Sequence, residues 1–309
     1  MNEASLPIPS LAPEAWQRRR AAHRQRLSPF VEAHHDRRQR GESHPVLDFL
    51  FTYYSARPSL LLTWSPGAGA VLEQTAKEAW VSRRWYREVG AGDMLLDPAR
   101  FPAARRRALR WTLDLLRAIE ARPPRHGCYG LHEWAMVYRL PRVRHDSTPL
   151  RLSKNEIEQV VEAGPLCCSH HDAFRFFTPA ARPLNRLHPG PDQRVEMEQS
   201  GCLHVNMDLY KWCYKFHPWL PAEFMADAFL LAVEAREVDM RASPYDVSAL
   251  GYEPIPIETE AGRALYRREQ ENIREKAAPL RRSLIDALMR LESMVLKSAA
   301  SQPPALEPR

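Results

Sequence analysis

PAEFMADAFLLAVEAREVDMR, residues 221–241, decides the fold class. Phe224, Ala228, Leu231, Ala235 and Val238 recur at intervals of three and four, which is one stripe along a 3.6-residue helix. Pro221 suits the start of such a helix and Ser243-Pro244 its end. The same spacing continues downstream, predicting a helix over about 258–277, a break or kink at Pro279, and a resumption through Leu280, Leu284, Leu288 and Leu291. Upstream, Pro102 opens a helix marked by Leu109, Leu113, Leu116 and Ile119, and Arg122-Pro123-Pro124 closes it.

Residues 13–42 place Ala21, Ala22, Leu27 and Val31 at helical spacing among Arg, His and Gln, which predicts one or two amphipathic helices with a basic outer face. The apolar run VLDFLFTYY (46–54) reads as a further helix, SPGAG (65–69) as a turn, and 71–88 as another helix. Residues 123–220 differ, with Pro, Gly, His and Cys between short apolar runs, so this third is read as loop-rich with room for a small hairpin. Strands and helices do not alternate, which argues against a doubly wound sheet. The expected architecture is mainly α: a single globular multi-helix domain over 13–297, flanked by polar, disordered tails at 1–12 and 298–309.

With 44% hydrophobic and 27% charged residues among 309, the composition is that of an ordinary globular protein. A net charge of +6 favours polyanions. The five cysteines, Cys128, Cys167, Cys168, Cys202 and Cys213, are odd in number and two are adjacent, which suits a reducing cytosol better than a disulfide framework. The N-terminal residues lack a signal-peptide pattern, and no apolar run approaches the roughly 20 residues that span a bilayer. The expectation is a cytoplasmic protein without membrane contact.

The chemistry is expected between His126 and Lys211. GLHEWAMVYR (130–139), CCSHHDAFRFF (167–177) and GCLHVNMDLYKW (201–212) each combine His, a carboxylate, an aromatic ring and a cation within about two helical turns. Such groups are costly to bury unless paired, and a core does not need them concentrated. A fourth cluster, EVDMRASPYD (237–246), adds Asp239 and Asp246. Cys168-x-His170 and Cys202-x-His204 offer four donors to zinc, and His132, His170, Asp172 and His204 offer a carboxylate/imidazole set to iron. Neither C-x-x-C nor H-E-x-x-H occurs, because Met136 stands where the second His would fall. The absence of G-x-S-x-G, a P-loop and G-x-G-x-x-G argues against a serine hydrolase and the common nucleotide-binding folds.

The runs HPVLDFLFTYY (44–54), GLHEWAMVYR (130–139), CSHHDAFRFFTPAARPLN (168–185), GCLHVNMDLYKW (201–212) and DMRASPYD (239–246) together resemble a bacterial family, common in actinobacteria, labelled 3-methyladenine DNA glycosylase. The resemblance covers roughly residues 13–290. It implies a DNA-repair hydrolase that needs no cofactor and excises alkylated adenine from double-stranded DNA. The helix-hairpin-helix of well-understood alkylpurine glycosylases is missing; Ser65-Pro66-Gly67-Ala68-Gly69 echoes it loosely, and no Gly-Pro-Asp follows.

Such an enzyme must evert the damaged nucleotide into an aromatic pocket and stabilise an oxocarbenium-like state with a carboxylate. Asp172, Glu133 and Asp208 are the candidate catalytic carboxylates, in that order. Trp134, Tyr138, Phe174, Phe176 and Tyr210 are candidate stacking rings, with His132, His170, His204 and Asn206 as further pocket residues. Arg105, Arg106, Arg107, Arg110, Arg139, Arg175 and Lys211 are candidates for holding the DNA backbone. The rival expectations are a metal-dependent small-molecule enzyme, with zinc or iron on His132, Cys168, His170, Asp172, Cys202 and His204, and a non-catalytic polyanion-binding protein.

Overall fold

The computed structural model describes residues 9–140 and 148–300. Its spine is three long helices and one of middle length: α4 (Arg106–Ala121), α9 (Leu203–Lys215), α10 (Ala222–Arg241) and α11 (Glu260–Ala300). Helix α10 packs on α9 and α11, and α11 packs on α4 and α9. The predicted stripe on α10 is only part of what it buries, since Met225, Ala226, Phe229, Ala232, Arg236 and Asp239 are buried too. Its many alanines let neighbouring backbones approach on more than one side. α1 (Pro13–Gln39) also lies against α10 and shields Trp16, Leu27 and Val31. The fold is mainly α, as the spacing predicts.

Several local expectations are corrected. Residues 71–88 are not a helix. β1 (Ser10–Leu11), β2 (Val71–Leu72), β3 (Tyr86–Gly90) and β4 (Asp93–Leu96) form a sheet of order β1-β2-β4-β3, with β1 parallel to β2 and the other pairs antiparallel. The β3–β4 hairpin turns on Ala91 (φ 48°) and Gly92 (φ 87°), the two left-handed residues that a tight hairpin with right-handed strand twist requires. The small hairpin therefore exists, but outside the loop-rich third, whose described residues carry only an isolated bridge between Leu150 and Tyr245. Ser10 and Leu11 belong to the sheet and residues 298–300 to α11, so those parts of the expected tails are ordered; residues 1–8 and 301–309 lie outside the described residues. Helix α11 runs unbroken through Pro279. Only Phe49–Thr52 of the 46–54 run is helical (α2), and α3 (Pro58–Leu61) follows it.

The middle third is built from short helices joined by loops: α5 (Leu131–Ala135), α6 (Lys154–Ala163), α7 (His171–Phe174) and α8 (Arg194–Met197). Arg122, just past α4, donates to the carbonyls of Val195 and Glu198 and so ties α8 to the spine. Within the spine, Arg281 of α11 donates to Glu120 of α4 and Asn206 of α9, a buried cation satisfied on both sides.

Candidate active site

Five elements bring the three sequence clusters together. Gly130 (φ 74°) turns the chain into α5, where a side chain would press on Ala242 and the Tyr266 ring. The turn leaves His132 and Glu133 buried and facing α10. There Arg236 donates to Glu133 Oε1 (2.8 Å) and Asp239 Oδ2 (2.7 Å), while His132 Nε2 lies 2.8 Å from Asp239 Oδ1. His204, on the first turn of α9, reaches Asp239 Oδ2 at 3.9 Å and meets the His132 ring edge to face, with centroids 4.6 Å apart.

The second group continues from the first through His170, whose ring stacks on His204 at 5.3 Å. His170 Nδ1 accepts the Ala173 amide at the start of α7, so its Nε2 carries the proton and points at Asp208 Oδ2 (3.4 Å) and Glu198 Oε1 (3.8 Å). Asp208 also takes Lys211 (3.2 Å), Arg194 (3.1 Å) and the Tyr54 hydroxyl (3.1 Å). Lys211 bridges to Asp172 at 2.7 Å, and Arg194 binds Glu198 at 2.5 Å.

The electrostatics follow from burial set against these partners. Burial penalises the Asp208 and Asp239 carboxylates, but Lys211 and His170 at the first, and His132 and Arg236 at the second, outweigh it and hold both well below the usual carboxylate range. Asp172 is lowered in the same sense, chiefly by Lys211 against burial. Burial also opposes charge on His132, yet Asp239 and Cys128 raise it well above the usual histidine value. For His204 burial wins, aided by the neighbouring cations, and its pKa falls to about 3. It is a neutral imidazole whose buried Nδ1 has no hydrogen-bond partner.

A pocket of about 320 Å³ opens onto both groups, with Glu133, Asp172 and His204 in its wall. Phe49, Tyr53, Phe176 and Tyr245 supply rings to the same wall. Phe49 and Tyr53 stack in parallel at 4.8 Å, and the Arg236 guanidinium lies 3.9 Å over Phe49. On the other side of His132, Cys128, Cys167, Cys168 and Cys202 line a separate cavity of about 200 Å³. Cys128 Sγ lies 3.4 Å from His132 Nδ1. A hydrogen bond from the Cys168 thiol, together with His132, lowers the Cys128 pKa well below the usual thiol value.

A surface groove of about 870 Å³ lies behind the second group. Trp80, Trp85 and Trp111 line it beside Arg57, Arg84, Arg105 and Lys215, and among the described residues no carboxylate lines it. Its Trp111 and Trp212 rings lie under the Arg194 guanidinium, at 5.6 and 5.5 Å, and Lys211 sits 4.8 Å over Trp212. One layer of residues thus separates the groove from Asp172 and Asp208.

The predicted residues divide accordingly. His132, Glu133, His170, Asp172, His204, Asp208 and Lys211 converge. Trp134 is core, donating its indole N–H to Ala242 O, and Tyr138 bonds Glu162. Phe174 packs on Phe177 and His188, and Tyr210 is buried against Tyr54 and Phe229. Asn206 braces Ser200 and Arg281. None of these five lines the aromatic pocket, whereas Phe176 does. Of the predicted backbone cations, Arg105 lines the groove, and Arg106 and Arg107 are exposed beside it in sequence. Arg110 pairs with Glu292, Arg139 with Glu158 and Glu162, and Arg175 lies 4.6 Å over Phe176 near Asp172. Lys211 is inside the network rather than on a DNA-facing surface. All five cysteines are free, and Cys168 and Cys202 belong to the thiol cavity; among the described residues the groups able to hold a metal are His132–Glu133–His204–Asp239 and His170–Asp172–Asp208.

Sequence reasoning did not assign Arg194, Glu198, Arg236 or the rings of Phe49 and Tyr53. Arg236 stands among Glu234, Glu237 and Asp239 in one helix run, so its charge did not single it out. Phe49 and Tyr53 had no signal beyond their place in an apolar stretch.

The chain matches no protein-family model, no curated protein and no solved structure. Among the described residues, no helix is long and apolar enough to cross a membrane.

Proposed function

We propose that the protein is a nucleic-acid enzyme that excises alkylated adenine from DNA by cleaving the N-glycosidic bond. The observation that carries this reading is the groove of cations and tryptophans, without a carboxylate among its described lining residues, one residue layer from an ionised Asp172. Cations along a backbone and flat rings under bases are the two requirements of a bound single strand. The aromatic pocket, which shares no lining residue with the groove, offers an everted base the π-faces of the stacked Phe49–Tyr53 pair and of Phe176. 3-Methyladenine in DNA is cationic, and electron-rich rings favour such a base.

In this reading the C1′–N bond breaks with both electrons going to the base, which leaves neutral. The sugar keeps the positive charge. Asp172, held ionised by Lys211, stabilises that charge, water adds to C1′, and the proton it sheds passes to solvent. Glu133 and neutral His204 complete the polar wall.

The test is incubation of purified protein with N-methylated DNA, reading released base by chromatography. Wild type should release 3-methyladenine. Asp172→Asn should cut the rate by about 10²-fold or more, the scale of losing a preorganised electrostatic partner, with DNA affinity retained. No release by wild type would sink the reading, and an equally active Asp172→Asn would remove Asp172 from it.

A further inference from the structure

We infer that His132, Glu133, His204 and Asp239 bind one divalent transition-metal ion, at a site open to the aromatic pocket through Glu133 and His204. This goes beyond glycosidic cleavage and does not depend on it.

Four observations carry the inference. One donor atom from each of the four residues lies within 4.8 Å of the others, and all four residues are buried. Nitrogen and oxygen donors sit about 2.0–2.2 Å from zinc, so opposite ligands are at most about 4.4 Å apart. The group needs to close by only a few tenths of an ångström. Two imidazoles with two carboxylates suit zinc, iron or manganese.

The second observation is His204, only 4% exposed: its Nε2 faces Asp239 Oδ2 at 3.9 Å, beyond hydrogen-bond reach, and its buried Nδ1 has no partner. A buried polar atom without a partner calls for one. His204 is also a pocket-lining residue, so an ion there keeps a coordination position for water or a small ligand.

The third is the outer arrangement. Arg236 bonds Glu133 Oε1 and Asp239 Oδ2, so its hydrogen bonds leave Glu133 Oε2 and Asp239 Oδ1 uncommitted to it. Cys128 Sγ meets His132 at Nδ1, which turns Nε2 inward. Fixing ligands through their far atoms is what outer partners do in metal centres.

The fourth separates this group from its neighbour. In the His170–Asp172–Asp208 group, Lys211 and Arg194 already lie against Asp172 Oδ2 and Asp208 Oδ2, and His170 Nδ1 is spent on the Ala173 amide. The ion is assigned to the first group for that reason.

The experiment uses the full chain, purified without a chelator or a histidine tag. Elemental analysis, then titration of the stripped protein with Zn(II), Mn(II) and anaerobic Fe(II) against a chromophoric chelator, should give at least one equivalent of one ion and a raised Tm. His204→Ala and Glu133→Gln, each checked for native circular dichroism, should weaken binding by about 100-fold, and Cys202→Ser should leave it unchanged. Cobalt(II) loading of wild type gives an answer that needs no variant: visible d–d bands without a thiolate-to-metal band near 350 nm are expected. No bound ion and no Tm shift at millimolar metal would overturn the proposal. So would a thiolate band, which places the ion in the cysteine cavity, or wild-type affinity in a folded His204→Ala. All of these are read without DNA, so a failed base-release assay and a failed metal site remain distinct results.

Discussion

His204 enters the folded state without its proton, and that has a cost that pH reveals. Its pKa falls to about 3, and burial lowers His217 to about 4. Unfolded histidine titrates near 6.5, so below that pH the unfolded chain binds protons that these two cannot accept while folded. Stability is therefore intact above about pH 6.5 and drains away as pH falls toward the folded values, by roughly 1.4 kcal/mol per unit for each residue. His132 has the opposite sign: its raised pKa contributes stability that is full below 6.5 and lost as pH rises through the folded value. The lowered Asp208 and Asp239 add a further loss only below about pH 4. Urea unfolding of the metal-stripped wild type should show a stability maximum near neutrality and a drop of about 2–3 kcal/mol from pH 6 to 5. A flat profile there would contradict the buried neutral imidazoles. At this scale the sequence was informative about residue type and weak about partner. His132, His170 and His204 stood out because polar groups crowd around them, but the pairing of His132 with Asp239, 107 residues away, depends on where α10 lies against α5.

Helices α10 and α4 were legible because a 3.6-residue stripe is a local property of the chain. Residues 71–88 hold strand segments where the sequence predicts a helix. The segment carries Trp80, Val81, Trp85 and Tyr86 without a decisive period, and what makes a hairpin there is the left-handed pair Ala91-Gly92 together with β2 as a neighbour for β4. The sequence reads Pro279 as a break or kink, but α11 continues through it because Ile273, Ala277, Leu284 and Leu288 on both sides pack into one core. Tertiary burial outweighed the missing amide and the ring clash, which cost about 3 kcal/mol in an isolated helix interior. The start of α11 gives a sharp test. A Cβ on Gly262 would collide with the Pro256 carbonyl, a backbone atom that cannot rotate away. Gly262→Ala should lose at least about 3 kcal/mol in chemical denaturation. Gly127→Ala, where a Cβ meets nothing within 4 Å, should stay within about 0.5 kcal/mol. Comparable losses in the two would refute the steric account.

At the scale of the whole molecule, charge is sorted rather than spread. The net +6 says little by itself, but the groove gathers Arg57, Arg84, Arg105 and Lys215 without a lining carboxylate among the described residues, while Arg110 and Arg139 are neutralised by Glu292 and by Glu158 and Glu162. Arg105→Glu combined with Lys215→Glu should weaken DNA binding and reduce the slope of log affinity against log salt by about 1.4–1.8, from two lost phosphate contacts. An unchanged slope in a folded double variant would move the nucleic acid elsewhere or remove it.

By itself, the sequence determined the mainly α class, the helices whose apolar residues keep a 3.6 period, the loop-rich middle third, and the stretch in which the ligand-type residues crowd. Those are properties of neighbours along the chain. Only the tertiary structure decided which carboxylate meets which histidine, that Trp134 and Tyr210 are core while Phe49 and Tyr53 wall a pocket, and that Arg236 and Arg194 sit at the centre of the ion pairs. A buried charge is tolerable only beside a partner. In this protein many of the partners come from distant segments, so the site exists only once α5, α7, α9 and α10 have packed.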